Sequence, residues 1–370
     1  MPKRVINKIK KIVFTGGHGA SSAYEVIEEV RRQKKDWDLY WIGFINSIEG
    51  ENSPTLSSIY FPKYKVKTYG IIAGRIQRNF TFWTIPSLLK IPLGFIRALF
   101  LIVKIRPDLV LSFGGFSAFP VVVVGYLFGV PVLIHEQTSV AGRANRLSSL
   151  FAKKIAISRE TSRDFFPKKK TILTGNPISK DIVKGDTALP ENPLIFVTGG
   201  QSGSVTINNC IASVLRGILH DFLVIHQTGL KDEKKFLDIR ENLGRRKIKY
   251  EVYGIIDPKK FNRIFNRANL VISRAGANNV AKIIASQKLS ILIPLPISYL
   301  NEQEKNALFA QQFSYSKILK QEDLTPVRLL KEIRFVFRHW DEIVGKLKKK
   351  VSPDINAAEK IVGLIHEELQ

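Results

Sequence analysis

The stretch Leu194–Leu215 reads LIFVTGGQSGSVTINNCIASVL, and it decides the fold. An apolar run, a glycine-rich segment and an amphipathic run follow one another, which is the order of a buried strand, a turn and a helix. Glycine lets backbone N–H groups approach an anion closely, and a helix start adds about half a positive charge. The stretch therefore predicts an anion-binding turn; an ordinary turn without a ligand is the alternative.

The chain carries the same pattern near its beginning. Ile12-Val13-Phe14 leads into Thr15-Gly16-Gly17-His18-Gly19, and a helical pattern follows through Ala23, Val26, Ile27 and Val30. Each copy opens a long α/β segment, so we predict two similar domains that face one cleft. We expect an N-terminal domain over 1–183, a turn-rich linker over 184–192 and a C-terminal domain over 193–354, with a last helix in 355–370 that crosses back onto the first domain.

Alternation of short apolar runs with amphipathic runs predicts the fold class. The expected strands are 39–43, 109–113, 130–134, 154–157, 171–173, 194–197, 223–227, 248–252, 270–273 and 290–294. The expected helices are 21–33, 86–104, 119–128, 142–150, 159–165, 205–219, 232–243, 258–266, 277–286, 302–312 and 326–349. This order is typical of α/β proteins with doubly wound parallel sheets, and it indicates two Rossmann-like domains.

Composition restricts the chemistry. The 370 residues include a single cysteine, Cys210, so a disulfide framework and a thiolate metal cluster are excluded. No cluster of Asp, Glu and His suggests a metal site. The 57 Lys and Arg residues exceed the 32 Asp and Glu residues by 25, which favours an anionic partner. The cations are scattered and lack the aromatic platforms of RNA-binding modules, so an anionic membrane or a phosphorylated substrate is preferred over nucleic acid.

No transmembrane span is predicted. The apolar run 91–103 is short and contains Arg97, and the run 118–134 is broken by glycines and prolines. The segment 75–89 interleaves cations with aromatic residues, Phe82 and Trp83 among them, as in surfaces that dip into a membrane interface. A helix packed on its own sheet is the alternative for that segment.

Four further stretches have polar or glycine residues directly after a predicted strand. They are Ser112–Ser117, His135–Thr138, Ser273–Asn278 and the segment 294–307 with Asn301-Glu302-Gln303. Parallel sheets bind ligands at the carboxyl ends of their strands, so we expect these stretches around one crevice. Such a crevice suits a ligand with a pyrophosphate and several hydroxyl groups.

These motifs, in this order along nearly the whole chain, resemble the MurG family of glycosyltransferases. The resemblance is carried by Thr15-Gly16-Gly17-His18, Gly114-Gly115-Phe116, His135-Glu136-Gln137-Thr138-Ser139-Val140-Ala141-Gly142, Gly175-Asn176-Pro177, Gly199-Gly200, Arg274-Ala275-Gly276-Ala277 and Gln303 with Asn306-Ala307. It implies a GT-B fold and inverting transfer of N-acetylglucosamine from UDP-N-acetylglucosamine to an undecaprenyl-pyrophosphoryl-muramoyl-pentapeptide, without a cofactor. It also implies peripheral attachment to the cytoplasmic face of the cell membrane.

The resemblance also implies roles for individual residues. His18 is the expected general base, and His135 with Glu136 is the second choice. The expected acceptor contacts are Gly114, Gly115, His135, Glu136 and Gln137. The expected donor contacts are Thr15, Gly16, Gly17, Thr138, Ser179, Gly200, Gln201, Ser202, Ile256 (or Ile255), Arg274, Gly276, Ala277, Asn278, Lys282 and Gln303.

Four positions depart from the family pattern. Thr138 stands where Asn is usual, Ser179 where Arg is usual, and Gln201 is inserted in the glycine turn. Lys282 stands where an acidic residue is expected to bind the ribose diol. The departures leave open another GT-B glycosyltransferase, a UDP-sugar epimerase, or a membrane-bound scaffold without turnover. A nicotinamide-dependent dehydrogenase is least favoured, because neither glycine turn has the full dinucleotide-binding spacing.

Overall fold

A computed structural model describes residues 9–17, 19–46, 54–72, 84–185, 188–347 and 350–370, without the side chains of 84–89. The chain divides into two compact units. The first comprises Met1–Pro177 and Ala357–Gln370, and the second comprises Ile178–Asn356. Each unit is built on one parallel sheet, and its strands are joined through helices.

The first unit has a seven-stranded sheet in the order β3-β2-β1-β4-β5-β6-β7. Its strands are β1 (Lys10–Gly16), β2 (Trp37–Gly43), β3 (Lys67–Gly70), β4 (Leu109–Ser112), β5 (Val132–Glu136), β6 (Lys154–Ile157) and β7 (Thr171–Leu173). Its helices up to β7 are α1 (Ala20–Arg32), α2 (Leu56–Tyr60), α3 (Thr84–Ile105), α4 (Ala118–Leu127) and α5 (Arg143–Ser148). Its described residues also form 3₁₀ segments at Phe61–Tyr64, Ser149–Phe151, Glu160–Phe165 and Lys168–Lys170.

The second unit has a six-stranded sheet in the order β10-β9-β8-β11-β12-β13. Its strands are β8 (Leu194–Thr198), β9 (Leu223–Gln227), β10 (Tyr250–Tyr253), β11 (Leu270–Ser273), β12 (Leu289–Leu292) and β13 (Ser316–Ile318). Its helices are α6 (Val205–Asp221), α7 (Leu230–Glu241), α8 (Pro258–Arg267), α9 (Ala277–Ser286), α10 (Glu302–Ala310), α11 (Pro326–Arg338) and α12 (Trp340–Gly345). Its 3₁₀ segments are Gly244–Lys249, Tyr299–Asn301 and Gln321–Asp323.

Helices cover both faces of each sheet. Successive side chains of a strand point to opposite sides, so each central strand contributes to two cores. On β8, Ile195 and Val197 join the core shared with α6 and α11, whereas Leu194 and Phe196 join the core shared with α8 and α9. On β1, Ile12 and Val13 divide in the same way between the two cores of the first unit. The near-continuous apolar runs of the sequence are therefore central parallel strands, and the predicted pair of doubly wound α/β units is confirmed.

Several predicted elements differ from the structure. The single helix expected over 326–349 ends at Arg338, and α12 begins after the non-helical His339 (φ −106°, ψ 24°). The helix expected over 159–165 is a 3₁₀ segment, Glu160–Phe165. β3, β13 and α2 were not predicted; all three are short. No helix within the described ranges is both long and apolar enough to cross a membrane.

The first unit ends at Pro177, before the boundary expected after residue 183. The residues that follow are held by the end of α8 and by α9. The Asn266 amide donates to the Asp181 carbonyl (2.6 Å) and accepts the Val183 N–H (3.3 Å). The Gly185 N–H donates to the Ser286 carbonyl (2.7 Å). These bonds attach residues 181–185 to the second unit.

The last helix, α13 (Ala357–Leu369), belongs to the first unit, although it follows the second unit in the sequence. It packs along α1, and Ile361, Val362 and Ile365 join the core that contains Ile12 and Phe14. Lys154 forms ion pairs with Glu367 (2.7 Å) and Glu368 (3.1 Å) near the end of the helix. Residues far apart in the chain thus complete one core.

Candidate functional site

The glycine turns that follow β1 and β4 meet at the carboxyl edge of the first sheet, because these two strands are neighbours. The Gly17 N–H donates to the Gly114 carbonyl (2.9 Å), and the Gly114 N–H donates to the Ser112 hydroxyl (3.1 Å). Gly114 and Gly115 have φ values of +79° and +94°, which disfavour any residue with a side chain. The structure therefore joins the predicted Gly16-Gly17 and Gly114-Gly115 loops into one backbone surface.

Thr15 and His18 flank Gly16 and Gly17 in the sequence. The Thr15 side chain is fully buried, and its hydroxyl donates to the Ile42 carbonyl (2.7 Å). It therefore stabilises the sheet rather than facing the turn surface. His18, the expected base, lies outside the described residues. A side chain at Gly19 would meet Phe113 at 2.5 Å and the Gln137 amide at 2.9 Å, so close packing requires glycine there.

Glu136, at the end of β5, accepts several hydrogen bonds from the loop that follows it. Its side chain is almost fully buried, and one carboxyl oxygen accepts the Thr138 N–H (3.1 Å) and the Thr138 hydroxyl (2.9 Å). The other oxygen accepts the Gly142 N–H (3.0 Å) and the Asn145 amide (2.9 Å). Burial raises the pKa of the carboxyl, although these donors act in the opposite direction. The predicted acceptor residue Glu136 thus holds the loop 138–142 and the start of α5.

His135 lies in the interior of the first unit. The imidazole is 0% exposed; its Nε2–H donates to the Gly175 carbonyl (3.1 Å) and is 3.3 Å from the Ser158 hydroxyl. Burial lowers the pKa of His135 to about 4, so the ring is neutral at pH 7. An enclosed ring of this kind positions the segment that contains Gly175 and cannot reach a ligand as it stands. Gln137, by contrast, is half-buried and donates to the Phe113 carbonyl (3.2 Å).

We expect Glu136→Gln to lower the free energy of unfolding of the first unit by about 2 kcal/mol. Glutamine keeps one acceptor oxygen but places an amide against two buried donors, which then lose their acceptor. Urea denaturation followed by intrinsic fluorescence measures the change. Glu160→Gln is the matched control, because Glu160 is a largely exposed partner of Arg163, and its loss should cost under about 0.5 kcal/mol. Equal effects of the two changes would contradict the assigned role of Glu136.

The glycine turn of the second unit follows β8. The Gly200 N–H donates to the Thr198 hydroxyl (3.0 Å), and the Gly203 N–H donates to the Gly200 carbonyl (3.1 Å). Gly200 and Gly203 have φ values of +90° and +75°. A side chain at Gly203 would overlap the Thr228 carbonyl oxygen, so this turn packs directly against the turn after β9. At the tip of this turn, Gln201 is half-buried and Ser202 is exposed.

A network of hydrogen bonds between buried side chains supports that turn. Asn208, on the second turn of α6, donates to the Thr228 carbonyl (2.8 Å) and to the Asp232 carboxylate (2.7 Å). Its side-chain oxygen accepts from His226 Nε2 (3.0 Å), so His226 Nδ1 accepts the Tyr250 hydroxyl proton (2.9 Å). Burial lowers the pKa of His226 to about 3, so the ring stays neutral and the chain of bonds persists at pH 7.

Arg274 and the start of α9 form the next part of this edge. The Arg274 guanidinium is 9% exposed and donates to the Ile293 carbonyl (3.1 Å), the Pro294 carbonyl (3.3 Å) and the Gln321 amide oxygen (2.6 Å). Burial lowers the pKa of the guanidinium. Gly276 caps α9 in an extended conformation, and Ala277 and Asn278 supply first-turn N–H groups that have no acceptor within the helix. This arrangement suits an anion.

Lys282 and Ile256 lie in the interior of the second unit. The Lys282 ammonium donates to the Asn262 amide oxygen (3.0 Å) and lies 5.9 Å from the centre of the Phe261 ring; the residue is 5% exposed. Ile256 is 2% exposed and belongs to the core around α8 and α9. Ile255 is half-buried and is therefore the more accessible of the two isoleucines.

The remaining predicted donor contacts are Gln303 and Ser179 in the second unit and Thr138 in the first unit. The Gln303 side-chain oxygen accepts the Leu295 N–H (3.0 Å), which fixes the loop before α10. Leu300 and Asn301, just before that helix, both have left-handed backbones (φ 49° and 55°). The Ser179 hydroxyl accepts the Asp181 N–H (3.1 Å) in the segment that follows the first unit. Thr138 is bound to Glu136 in the first unit, as described above.

Sequence reasoning did not single out Asn145 or Asn208, and it quoted Asn306 only as part of a motif, although each of the three holds a turn. The Asn145 amide packs against Gly114, and the Asn306 amide donates to the Ala275 carbonyl (3.2 Å). A signal exists for Asn208, which occupies a core-facing position of an otherwise apolar stripe with Ile211 and Leu215. Among the described residues, no group of three His, Cys, Asp or Glu side chains could hold a metal ion.

Comparison with protein families identifies both halves of the chain. Residues 33–157 match the glycosyltransferase family 28 N-terminal domain, and residues 194–361 match the family 28 C-terminal domain. The turns described above at Gly114, Gly200 and Arg274 lie within these matches.

Whole-length relatives agree with this match. The chain is 33% identical over 370 residues to a UDP-N-acetylglucosamine–N-acetylmuramyl-(pentapeptide) pyrophosphoryl-undecaprenol N-acetylglucosamine transferase of Legionella pneumophila (strain Paris), covering 96% of each chain. It is 30% identical over 369 residues to the enzyme of that name from Clostridium kluyveri, covering 97% of this chain and 99% of the relative.

Solved structures show the same fold. MurG of Acinetobacter baumannii superposes with a TM-score of 0.63 at 22% identity, covering 97% of this chain and 99% of that one. A UDP-GlcNAc 2-epimerase from Neisseria meningitidis has a TM-score of 0.63 at 13% identity, covering 96% and 100%. At these identities the likeness shows the two-domain GT-B-like fold alone. The whole-length identities, together with the two domain matches, show that the chain belongs to the family 28 glycosyltransferases, in the family of the UDP-N-acetylglucosamine–N-acetylmuramyl-(pentapeptide) pyrophosphoryl-undecaprenol N-acetylglucosamine transferases.

Proposed function

We propose that the chain transfers N-acetylglucosamine from UDP-N-acetylglucosamine to undecaprenyl-pyrophosphoryl-N-acetylmuramoyl-pentapeptide, with inversion at the anomeric carbon. The product is the lipid-linked disaccharide precursor of peptidoglycan, so the reaction contributes to cell-wall synthesis and thereby to cell shape and division. The observation that carries this proposal is the 33% identity, over 96% of the chain, to a transferase of that name. The glycine turns at the carboxyl edges of both sheets agree with it.

The second unit supplies the proposed donor contacts. The turn 199–204 and the start of α9 present backbone N–H groups and two helix N-termini, which suit the pyrophosphate of the UDP leaving group. Arg274 adds a cation to the same edge of the sheet, and Gln303 and Ile255 are proposed for the sugar and the uracil. Lys282, which was expected at the ribose in place of an acidic residue, is buried and donates to Asn262, so it is not proposed as a donor contact.

The first unit supplies the proposed acceptor contacts. Gly16, Gly17, Gly114 and Gly115 form a backbone surface that suits the acceptor pyrophosphate, and Gln137 lies beside it. Attack of the acceptor hydroxyl on the anomeric carbon releases a proton and transfers negative charge to UDP. A base must take that proton, and His18 is proposed for this step because a neutral imidazole accepts protons near pH 7.

Transfer of radiolabel from UDP-N-acetylglucosamine to a lipid-linked muramoyl-peptide tests the proposal. The expected result is a labelled disaccharide-lipid and an equal amount of UDP. Release of UDP with free N-acetylmannosamine would instead identify a hydrolysing epimerase. A folded protein that binds UDP but transfers no label would indicate a scaffold.

We propose that the first unit is also the part that attaches to the membrane. The solvent face of α3 carries an apolar stripe of Leu93, Ile96, Phe100 and Val103, each 47–64% exposed. Arg97 lies against the Phe100 ring (5.5 Å), and Lys104 lies near the same ring (5.8 Å). Exposed apolar residues with interleaved cations are typical of surfaces that enter an anionic membrane interface. The segment 75–83, with Phe82 and Trp83, was predicted to enter a membrane interface and lies outside the described residues.

We expect Ile96→Ser with Phe100→Ser to weaken binding to anionic vesicles by about tenfold, because two side chains lose apolar area that the interface would bury. Co-sedimentation with vesicles of phosphatidylcholine and phosphatidylglycerol measures the effect. The control pair is Ile248→Ser with Leu308→Ser, whose side chains are 81% and 52% exposed in the second unit. Undiminished vesicle binding by the α3 variant would place the attachment surface elsewhere.

A further inference from the structure

The exposed face of α8 in the second unit is entirely cationic. Lys259, Lys260, Arg263 and Arg267 are the exposed residues of this helix. Its opposite face is apolar: Ile264 and Phe265 are buried, and Phe261 packs edge-on against Phe196 of β8 (5.2 Å). The core therefore fixes the helix, and its four cations are presented to solvent as one ridge, here called the α8 ridge.

Two cations of the ridge are unpaired within the described part of the chain. Arg263 and Arg267 make no ion pair or hydrogen bond through their side chains with any residue that the structure describes. Lys260 lies over the Tyr253 ring (4.2 Å). The nearest acid on the helix is Asp257, whose carboxylate caps the helix by accepting the N–H groups of residues 259 and 260.

Local helix physics disfavours this charge arrangement. Lys259 and Lys260 lie in the first turn, where the helix dipole favours anions. Lys259, Arg263 and Arg267 follow one another at intervals of four, so like charges are neighbours along the ridge. Neither feature helps the isolated helix fold, and an anionic surface laid against the ridge would relieve both.

The shape of the ridge fits a plane rather than a pocket. Its residues fall within about a third of the helix circumference and extend about 12 Å along the axis, at about 1.5 Å per residue. The aromatic residues of α8, Phe261 and Phe265, are turned towards the core. Single-stranded nucleic acid is usually held by exposed aromatic residues on which bases stack, and the ridge offers none on its outer face.

We propose that the α8 ridge docks on an anionic bilayer, as a second membrane contact in addition to the apolar stripe of α3. The ridge would contribute electrostatic attraction, and the stripe would contribute insertion. The inference rests on the proposed function, because a lipid-linked acceptor requires the enzyme to work at a bilayer. It adds that the second unit has its own lipid-facing side.

A matched pair of triple variants tests the proposal in the full-length chain. The test variant is Lys260→Gln, Arg263→Gln, Arg267→Gln. The control variant is Lys331→Gln, Arg334→Gln, Arg338→Gln, which removes three exposed cations from α11. α11 packs through Leu329 and Ile333 on the opposite face of the same sheet, so the two variants have equal net charge but different placement.

Co-sedimentation is measured with vesicles containing 0% and about 30% phosphatidylglycerol at low and high salt. We expect the α8 variant to lose about tenfold or more in affinity for the anionic vesicles, and we expect this difference to vanish at high salt. The α11 variant should bind like the unmodified chain. An equal loss of vesicle affinity in both variants would show that only the net charge of the chain matters, and it would overturn the proposal. Unchanged vesicle affinity of the α8 variant would overturn it as well. Selective loss of DNA-oligonucleotide binding, with vesicle binding intact, would identify the ridge as a nucleic-acid site and overturn it as well.

A separate assay distinguishes failure of this inference from failure of the proposed function. Transfer to a short-chain acceptor that dissolves without vesicles should proceed in the unmodified chain and in both variants. If the unmodified chain lacks this transfer, the proposed function fails. If the transfer is present and the α8 variant still binds vesicles, only the membrane role of the ridge fails.

Discussion

Replacement of His18 by alanine is expected to lower kcat by about 10²–10⁴-fold, with little change in the unfolding temperature. The acceptor hydroxyl is a poor nucleophile until its proton moves to a base, and alanine cannot accept it. The flanking glycines belong to a packed turn: the Gly17 N–H binds the Gly114 carbonyl, and Gly19 lies against Phe113. Neither contact involves the side chain of residue 18, so Gly17 and Gly19 should keep these contacts when the imidazole is removed.

Single-turnover transfer of radiolabel at saturating UDP-N-acetylglucosamine measures this effect on the chemical step. His220→Ala is the matched control, because His220 is exposed at the end of α6 and its ring is bonded to the neighbouring Asp221 carboxylate. The control should retain full turnover. Unchanged turnover in the His18 variant would exclude this residue as the base, and His135 would not replace it without a rearrangement that opens its buried ring.

The second large effect is expected for Gly203→Ala in the turn after β8. The backbone there has φ +75°, and the new methyl group would overlap the Thr228 carbonyl oxygen, which already accepts the Asn208 amide. The two turns interlock in both directions, because a side chain at Gly229 would overlap the Ser202 carbonyl oxygen. We expect the change to cost about 3 kcal/mol of stability, from steric overlap and left-handed backbone strain together.

The steric overlap would displace the turn after β8, and we expect this displacement to weaken UDP binding by about tenfold or more. A loss of roughly 1.4 kcal/mol of interaction corresponds to a factor of ten. Urea denaturation and calorimetric titration with UDP measure the two effects. Gly217→Ala is the control on the adjoining helix: it lies in the interior of α6, a Cβ there meets nothing within 4 Å, and alanine should stabilise the helix by up to about 1 kcal/mol. Native stability and UDP affinity in the Gly203 variant would refute the interlocked-turn model.

The architecture was predictable because its signals are local. Short runs such as 194–197 and 270–272 are apolar on both faces, which is typical of a parallel strand covered by helices on both sides. Glycine at 114, 115, 200 and 203 marks left-handed backbone, so the turns could be placed without a structure. β13 was missed because three residues beginning with Ser-Lys carry little apolar signal. The break at His339 was missed because no glycine or proline marks it.

The supporting side chains of the site were less predictable, because their roles depend on tertiary packing. Lys282 is buried because α8 brings Asn262 within 3.0 Å of its ammonium, a contact between helices that spacing along one helix does not reveal. Glu136 and His135 read as surface motif residues, yet the loop 138–142 and the Gly175 carbonyl enclose them. Sequence patterns located the turns, whereas the contacts of the buried side chains that support them could be found only in the structure.

The attachment of α13 to the first unit has a consequence for biosynthesis. Residues 178–356 form a continuous stretch, so the second unit closes its core without any residue from outside that stretch. The first unit contributes most of its residues earlier, but its hydrophobic interior beside α1 stays open until residues 357–370 leave the ribosome. The half that is translated first is therefore the half that matures last, and a nascent chain arrested before residue 357 would expose the groove that Ile361 and Ile365 later fill.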